Sequence, residues 1–499
     1  MPNLKDIIKP CLIDIALFCE HTSRLTLRSY QVEVARAVLD SIIKHKGLSI
    51  VVMFPRQSGK NELQAHIETY LLTVLQNTQA EIVQISPTWK PQSINAMHRL
   101  QRVLERNLLL GSTWSKNAGY IYQIGTARII FLSGDPEANI VGATASTLLS
   151  IDEAQDIQIA KYDKDIAPMA ASTNATRVFW GTAWTNKTLL ARERRNALAA
   201  EQADGVKRVF VLDADQVAKE VPAYGAFVAG QIANMGRNHP MVKSQFYSEE
   251  IDAEGTFFSA ARISLIHGNH PPQVIPINGH VYAFCIDVAG EDEATETDLR
   301  HDATTLTIVD VDLSPLQDEL VNKPVYKVVG RQEWQGEDHV VIYNQIKALV
   351  DHWDPRYLVI DSTGIGAGLA SFLDTAFPHK VIPFIFSSAS KSKLGWNFLS
   401  AIETGRFKDY SPKSDALSKH LQGKFFKQLE FVVQSVAAGP GHLLSWSVPD
   451  GTRDPETGDL VHDDLVISAA LCTVLDERSW GRAVSEVIAP VDPLEVLRW

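Results

Sequence analysis

The sequence predicts two α/β domains in tandem, the first built on a mainly parallel sheet. Three observations carry that prediction. The apolar, β-branched run GLSIVVMF (47–54) is followed at once by a turn and the helical pattern NELQAHIETYLLTVL (61–75), a strand, loop, helix unit. Similar runs alternate with helical stretches to about Phe258, as in a doubly wound sheet. The periodicity then dissolves in HGNHPPQVIPINGH (267–280) and restarts beyond it, and Pro, Gly and Asn in such density mark a connector. At 499 residues the chain is too long for one ordinary core. The predicted divisions are a first domain at 1–266, a linker at 267–280, a second domain at 281–480 and a tail at 481–499.

In chain order, Arg28 to Lys44 has helical character, and in the helix after the first strand Leu63, Ile67, Leu71 and Val74 with Leu75 share one face. Further strands are predicted at EIVQIS (81–86), ARIIFLS (127–133), TLLSID (147–152) and RVFWGTA (177–183). Past the linker, VYAFCIDVAG (281–290), TTLTIVDV (304–311), VYKVVGRQEW (325–334) and YLVIDSTG (357–364) read as strands. A helix is expected near 339–350 and a last one from about His462. No internal repeat stands out.

A hydrophobic fraction of 45% with 21% charged residues is that of a soluble globular enzyme and excludes wholesale disorder or a collagen-like repeat. Cys11, Cys19, Cys285 and Cys472 form no CxxC pair, so neither a zinc site nor a disulfide framework is indicated, and a reducing compartment fits. The N-terminal apolar run contains Asp14 and lacks a small-residue cleavage site, so it reads as neither signal peptide nor membrane span, and a cytosolic protein is expected. With 47 basic against 59 acidic residues the net charge is −12. That argues against indiscriminate coating of nucleic acid but leaves room for a local basic groove.

Phe54-Pro55-Arg56-Gln57-Ser58-Gly59-Lys60-Asn61 lies between strand and helix, the context a phosphate loop requires. Backbone N–H groups and the helix start would face the phosphates, with Lys60 as a point charge on the β/γ oxygens. Phe54 stands where GxxxxGK[ST] has its first glycine and Asn61 where it has a hydroxyl; a lysine capping a turn is the alternative. In LLSIDEAQD two acids follow an apolar strand, Asp152 standing 92 residues after Lys60. Asp152 would hold Mg²⁺ and Glu153 would orient or deprotonate water. Gln31, in LRSYQ, can pair both edges of adenine, or simply cap a helix. Thr182, in WGTA, would sense the γ-phosphate and couple it onward, or is a plain strand-end threonine.

In the second half Asp287 and Asp361 each end an apolar strand, and His462-Asp463-Asp464 opens a helix. Carboxylates gathered in this way usually hold Mg²⁺ or Mn²⁺, because their charges otherwise repel. Two such ions would activate water and stabilise the leaving oxygen of a phosphodiester. Asp at a strand end is also common turn chemistry. Asp302 is either a fourth ligand or, with slight preference, a turn residue, and the run from Glu291 reads as a solvated loop. Between Val381 and Glu430, Lys391, Lys393, Arg406, Lys408, Lys413, Lys419, Lys424 and Lys427 outnumber Glu403, Asp409, Asp415 and Glu430 by four. Lys391 and Lys393, with Trp396, Phe407 and Tyr410 interleaved, suggest a DNA-backbone contact; a solvated helix face is the alternative.

With both sets in one chain, the sequence resembles the large terminase subunit of tailed double-stranded DNA bacteriophages. The resemblance runs through LTLRSYQ, RQSGKN, IVQISPTWKPQS, LLSIDEAQD, FWGTAWT, IDVAGE, LVIDSTGIGAG, FSSASKSKLGW and HDDLVIS. It implies an additional-strand P-loop ATPase domain followed by an RNase H-like nuclease. Arg56, Gln57, Ser58, Gly59, Lys60 and Asn61 would then form the nucleotide loop, with Gln31 at the adenine, Asp152 and Glu153 the hydrolytic pair, and Thr182 in the coupling segment. Asp287, Asp361 and Asp464, with Asp463 beside it, would be the nuclease acids. Many relatives carry an arginine before the glycine that precedes the acidic strand, where this chain has Asn139-Ile140-Val141-Gly142; Arg128 or a neighbouring subunit is a guess for the missing finger. The implied setting is a ring on the portal protein in the host cell cytoplasm, absent from the mature virion, with a small terminase subunit, double-stranded DNA, ATP, Mg²⁺ and a two-metal Mg²⁺ or Mn²⁺ nuclease. The tail VDPLEVLRW would dock on the portal. The main rival is a helicase or translocase without nuclease activity, which would need a second ATPase-like half; a capsid-associated structural protein ranks last.

Overall fold

The computed structural model describes residues 4–480 except 112, 141, 252–253, 290–302, 318–320, 412–415, 437–442 and 456. Two units emerge, both discontinuous in sequence. The first comprises Met1–Ile263, Ser387–Thr404 and Leu429–Val461, and the second Ser264–Phe386, Gly405–Gln428 and the described residues from His462 on.

In the first unit Ser49–Met53 forms β1, buried at all but its first residue, as a β-branched apolar run covered on both faces should be. Glu81–Ser86 is β2, Trp114–Asn117 β3, Ile121–Ile124 β4, Ala127–Ser133 β5, Leu148–Ile151 β6, Thr176–Gly181 β7 and Val209–Val211 β8. They form one sheet in the order β3-β4-β5-β2-β6-β7-β1-β8. The pairs from β5 to β8 are parallel, and β3-β4-β5 is an antiparallel edge that sequence patterning does not anticipate. β7 lies between β1 and β6, which is the additional-strand arrangement expected.

The helix Lys60–Val74 buries the predicted stripe, Leu63, Ile67 and Leu71, but Gln64, His66, Glu68 and Thr69 are buried too. It is a central helix, and two of these polar groups find internal partners: Gln64 Nε2 donates to Ser150 Oγ at 3.1 Å and Thr69 Oγ1 to the Ala65 carbonyl at 2.8 Å. The N-terminal apolar run breaks into Leu4–Ile13 and Ile15–Ser23, with Asp14 capping the second by accepting the Ala16 N–H at 2.8 Å. Among the described residues no helix is long and apolar enough to cross a membrane. β9 (Glu254–Thr256) pairs with Val433–Val436, which pairs with Leu444–Ser447. Thus 387–404 and 429–461, which the sequence suggests are part of the second domain, complete the first: Phe257 lies against Trp446 and Phe258 against Phe398.

The second unit has β10 (Tyr282–Asp287), β11 (Ala303–Asp312), β12 (Val325–Gln335), β13 (Tyr357–Asp361), β14 (Val381–Phe384) and β15 (Phe407–Lys408), in the order β14-β13-β10-β11-β12-β15. β10, β11 and β12 form an antiparallel meander, while β13 and β14 run parallel to β10 on its other side. This is the RNase H-like sheet expected, with its first strand central. Phe284, Ile286, Leu306, Leu358 and Ile360 fill its core with residues of the helices His339–Trp353 and Gly366–Ala376. The segment 267–280 is irregular but not loose: His270 Nε2 lies 2.7 Å from the Val328 carbonyl, and the Gln273 N–H donates to Val329 O at 2.8 Å.

Candidate functional site

The loop between β1 and the helix Lys60–Val74 needs two left-handed residues, Gln57 (φ 61°) and Gly59 (φ 93°). A Cβ on Gly59 would also meet Gln31 Nε2 at 2.7 Å, so both backbone and clearance demand glycine there. The loop is braced from outside. Arg28 Nη1 and Tyr30 Oη donate to the Ser58 carbonyl at 2.7 and 2.9 Å, Ser58 Oγ to Pro55 O at 2.7 Å, and Tyr224 Oη to Arg56 O at 3.0 Å. Gln31 donates to Gly59 O at 3.0 Å and accepts the Arg28 N–H at 2.9 Å. One end of its amide therefore holds the loop and the other caps its own helix, and Gln31 does not line the cleft beside it. Arg28, Tyr30 and Tyr224 escape motif reading because their contribution is a contact made by folding.

That cleft measures about 980 Å³, and Arg56, Lys60, Asn61, Asp152, Glu153 and Thr182 are in its wall. Strands two places apart in a sheet are about 10 Å apart, and Lys60 spans that gap across β7 to reach Glu153 Oε1 at 3.0 Å. Asp152 is buried, and burial together with the Glu153 charge raises its pKa. Burial pushes Glu153 the same way, but the Lys60 ammonium and the Gln155 amide outweigh it and leave Glu153 lowered. Burial and the Glu153 charge push Asp156 up to about 7. Crowded, buried acids beside a lysine fit a site for a divalent cation and phosphates.

Gln155, missed in the sequence, ties this site to the next strand. Its Nε2 donates to Glu153 Oε2 at 2.7 Å, and its Oε1 accepts the Thr182 N–H at 3.2 Å. Thr182 Oγ1 itself donates to Phe54 O at 3.3 Å, so Thr182 touches the loop strand and the acid strand together. Gly181 leaves room for this amide, since a Cβ there would stand 2.4 Å from Gln155 Oε1.

In the second unit Asp287 and Asp361 end neighbouring parallel strands, as the register Ile286 opposite Ile360 requires. Asp361 and Asp464 are buried, and burial raises the Asp361 pKa against the lowering bond from Thr363. Asp361 Oδ1 accepts the Thr363 N–H at 2.8 Å, and Gly366 packs so close to the Asp361 carbonyl that a Cβ would meet it at 2.5 Å. Asp464 opens the helix Asp464–Ala470; its Oδ2 accepts the Ala303 N–H at 3.1 Å and its carbonyl the Thr305 hydroxyl at 2.9 Å. Asp287 pairs with Thr305 across the sheet, so the three acids belong to one end of it, with Asp463 at the position just before the helix. Among the described residues no three His, Cys, Asp or Glu groups converge on a single ion position. The hard oxygen donors suit Mg²⁺ or Mn²⁺, while the bonds from Thr363 and Ala303 N–H groups direct two of the carboxylates.

The basic run is divided between the two units. Lys391 and Lys393 are on the helix Ser388–Glu403 of the first unit, with Lys391 over the Trp446 ring at 5.7 Å. Arg406 is buried in a pair with Asp476, and Lys424 is bound to Glu333. Arg128 is also excluded from the cleft: it pairs with Glu81 at the start of β5 and β2, the far end of those strands from Asp152. The arginines of the cleft wall are Arg56, Arg99 and Arg102. Val141, Asp302, Lys413, the run from Glu291 and the tail lie outside the described residues.

Residues 292–425 match the family model of the terminase RNase H-like domain. A probable terminase, ATPase subunit, of Haemophilus phage HP1 is 25% identical over 99 residues, which is 20% of this chain and 16% of that protein. The chain thus spans about a sixth of that relative's length. Among solved structures, the large terminase of the thermophilic bacteriophage D6E is 12% identical, with 90% of this chain and 98% of that one covered and a TM-score of 0.46. For the large terminase of bacteriophage HK97 the values are 14%, 93%, 99% and 0.39.

Proposed function

We propose that this chain, whose residues 292–425 match the terminase RNase H-like family, is the large terminase subunit of a tailed phage. Its first unit hydrolyses ATP to move double-stranded DNA and its second cuts that DNA. The observation that carries the reading is the contact of Lys60 with Glu153 across an inserted strand, at the mouth of a cleft large enough for a nucleotide.

Lys60 holds the Glu153 carboxylate when no phosphate competes for its ammonium. Triphosphate oxygens entering the loop draw Lys60 away, and Glu153 is released to take a proton from the attacking water. Gln155 keeps Glu153 aimed and reports on it to Thr182 through the shared amide. A divalent cation, when bound, supplies charge neutralisation to Asp152 and the phosphates. Gln31 contacts adenine only if its amide lets go of Gly59. In the second unit Asp287, Asp361 and Asp464 would hold Mg²⁺ or Mn²⁺, the chemistry of phosphodiester cleavage. Portal protein, a small terminase subunit, a ring of copies and action in the host cytoplasm complete the proposal, with Lys391 and Lys393 offered to DNA.

The two activities separate in one experiment. Lys60→Ala is expected to reduce ATP turnover at least about 100-fold and to leave Mg²⁺- or Mn²⁺-dependent cutting of plasmid DNA intact, while Asp361→Ala does the reverse. Full ATP turnover in Lys60→Ala, or undiminished cutting in Asp361→Ala, sinks the corresponding half.

A further inference from the structure

Next to the nucleotide cleft is a second, smaller cavity of about 120 Å³. Arg24, Arg99, Arg102 and Arg106 line it with His66, and Glu62 is its one carboxylate. Glu62, Arg99 and Arg102 also line the cleft, so they form a shared wall between the two spaces.

The charges here are poorly matched. Glu62 meets His66 Nε2 at 3.5 Å and Arg99 Nε at 3.8 Å, and the His66 bond, with the charges of Arg99 and Arg102, holds its carboxyl below the usual range despite burial. Arg24, Arg102 and Arg106 pair with no carboxylate among the described residues. Like charges crowded without counterions repel, and a bound anion relieves them. His66 is almost wholly buried, and its Nδ1 has no protein partner. Arg24 ends the helix Ile15–Ser23 in left-handed backbone, φ 54°, where glycine or asparagine is the easy choice. Local backbone chemistry does not call for an arginine there.

A space of about 120 Å³, open to solvent, is enough for one tetrahedral oxyanion. Arginine forks match phosphate oxygens in pairs. We propose that this cavity is a second phosphate site, in which Arg24, Arg102 and Arg106 take a phosphate group across the wall formed by Glu62 and Arg99. The group is either orthophosphate leaving the cleft or a phosphate of a nucleic-acid backbone. The first source rests on the ATP-hydrolysis reading; the site itself does not.

The test uses the full chain with Mg²⁺ and ADP at saturation, so that the cleft is filled, and follows ³²P-orthophosphate by equilibrium dialysis. Arg24 and Arg106 line only the smaller cavity, and the Arg24→Gln/Arg106→Gln chain is the comparison. Loss of two charged donors is expected to weaken phosphate binding on the order of tenfold or more, with ADP affinity and melting temperature kept. A 20-base-pair duplex is then added as competitor. No competition assigns the site to orthophosphate; competition, with a matching loss of duplex affinity in the variant, assigns it to the backbone. Equal affinity of both chains for both ligands, or no saturable binding by the natural chain, overturns the proposal. If neither chain binds ADP yet the phosphate loss remains, the ATP-hydrolysis reading fails and the site stands.

Discussion

Glu153 and Gly59 show how single residues set this chemistry. Glu153 stands at φ 44°, a conformation that costs a non-glycine residue about 1–2 kcal/mol and that turns its carboxylate back toward Lys60. Gly59 has the opposite constraint, since an added Cβ would both strain φ 93° and strike the Gln31 amide. Gly59→Ala is therefore expected to lower ATP turnover by about tenfold or more, from a penalty of at least about 1–2 kcal/mol. Removing the clash with Gln31→Ala is expected to leave turnover low, because the backbone penalty persists. A steady-state ATPase assay checks this, and recovery in the double variant would mean that clearance alone mattered.

Helix ends and strand neighbours depend on groups far apart in sequence. His239 caps the helix Pro240–Tyr247: its Nδ1 accepts the Met241 N–H at 3.2 Å, and its Nε2 lies 3.2 Å from the Trp396 carbonyl. Burial lowers its pKa to about 4 from 6.5. The unfolded chain therefore binds the proton more readily, so His239 contributes stability in full above pH 6.5 and loses it as pH falls toward 4, on the order of 3 kcal/mol. The difference in urea-unfolding free energy between the natural chain and His239→Asn should shrink over that window; a constant difference would remove the histidine as its cause. At the edge of the second sheet Arg331 and Asp409 are fully buried together, 3.0 Å apart, with Phe425 4.1 Å from the guanidinium. Asp409→Ala is expected to cost about 3–5 kcal/mol by stranding the charge. Arg331→Met/Asp409→Leu should cost less than that single change. Chemical denaturation decides, and a double variant less stable than the single one contradicts the account.

At the scale of the whole molecule, the first unit is finished by residues that come after most of the second in sequence. Phe257 and Phe258 are covered by Trp446 and Phe398, and β9 pairs with Val433–Val436. A fragment ending at 266 exposes those rings and an unpaired strand edge. It is expected to bind the dye ANS and to be cut by protease near Glu254 far sooner than the full chain. A fragment as resistant as the full chain would show that 387–404 and 429–461 are dispensable.

Much of this was already legible in local sequence. Apolar runs followed by turn residues locate β2, β5, β6, β11 and β12 to within about a residue and β1, β10 and β13 to within about three, because burial on both faces leaves few alternatives to such runs. Lys60, Glu153, Asp287 and Asp361 were identifiable because each ends or follows one of these runs. The brace of Arg28, Tyr30 and Tyr224, the Gln155 bridge and the exclusion of Arg128 depend on which strands are neighbours, and sequence distance does not encode that. The short strands β3, β4 and β8 were also lost, since runs of three or four residues are too short to establish a period. The largest difference between sequence and structure is in the domain boundary. The break at 267–280 marks irregular backbone faithfully, but only tertiary packing decides that later segments return to the first unit, because burial is shared between residues that local composition never brings together.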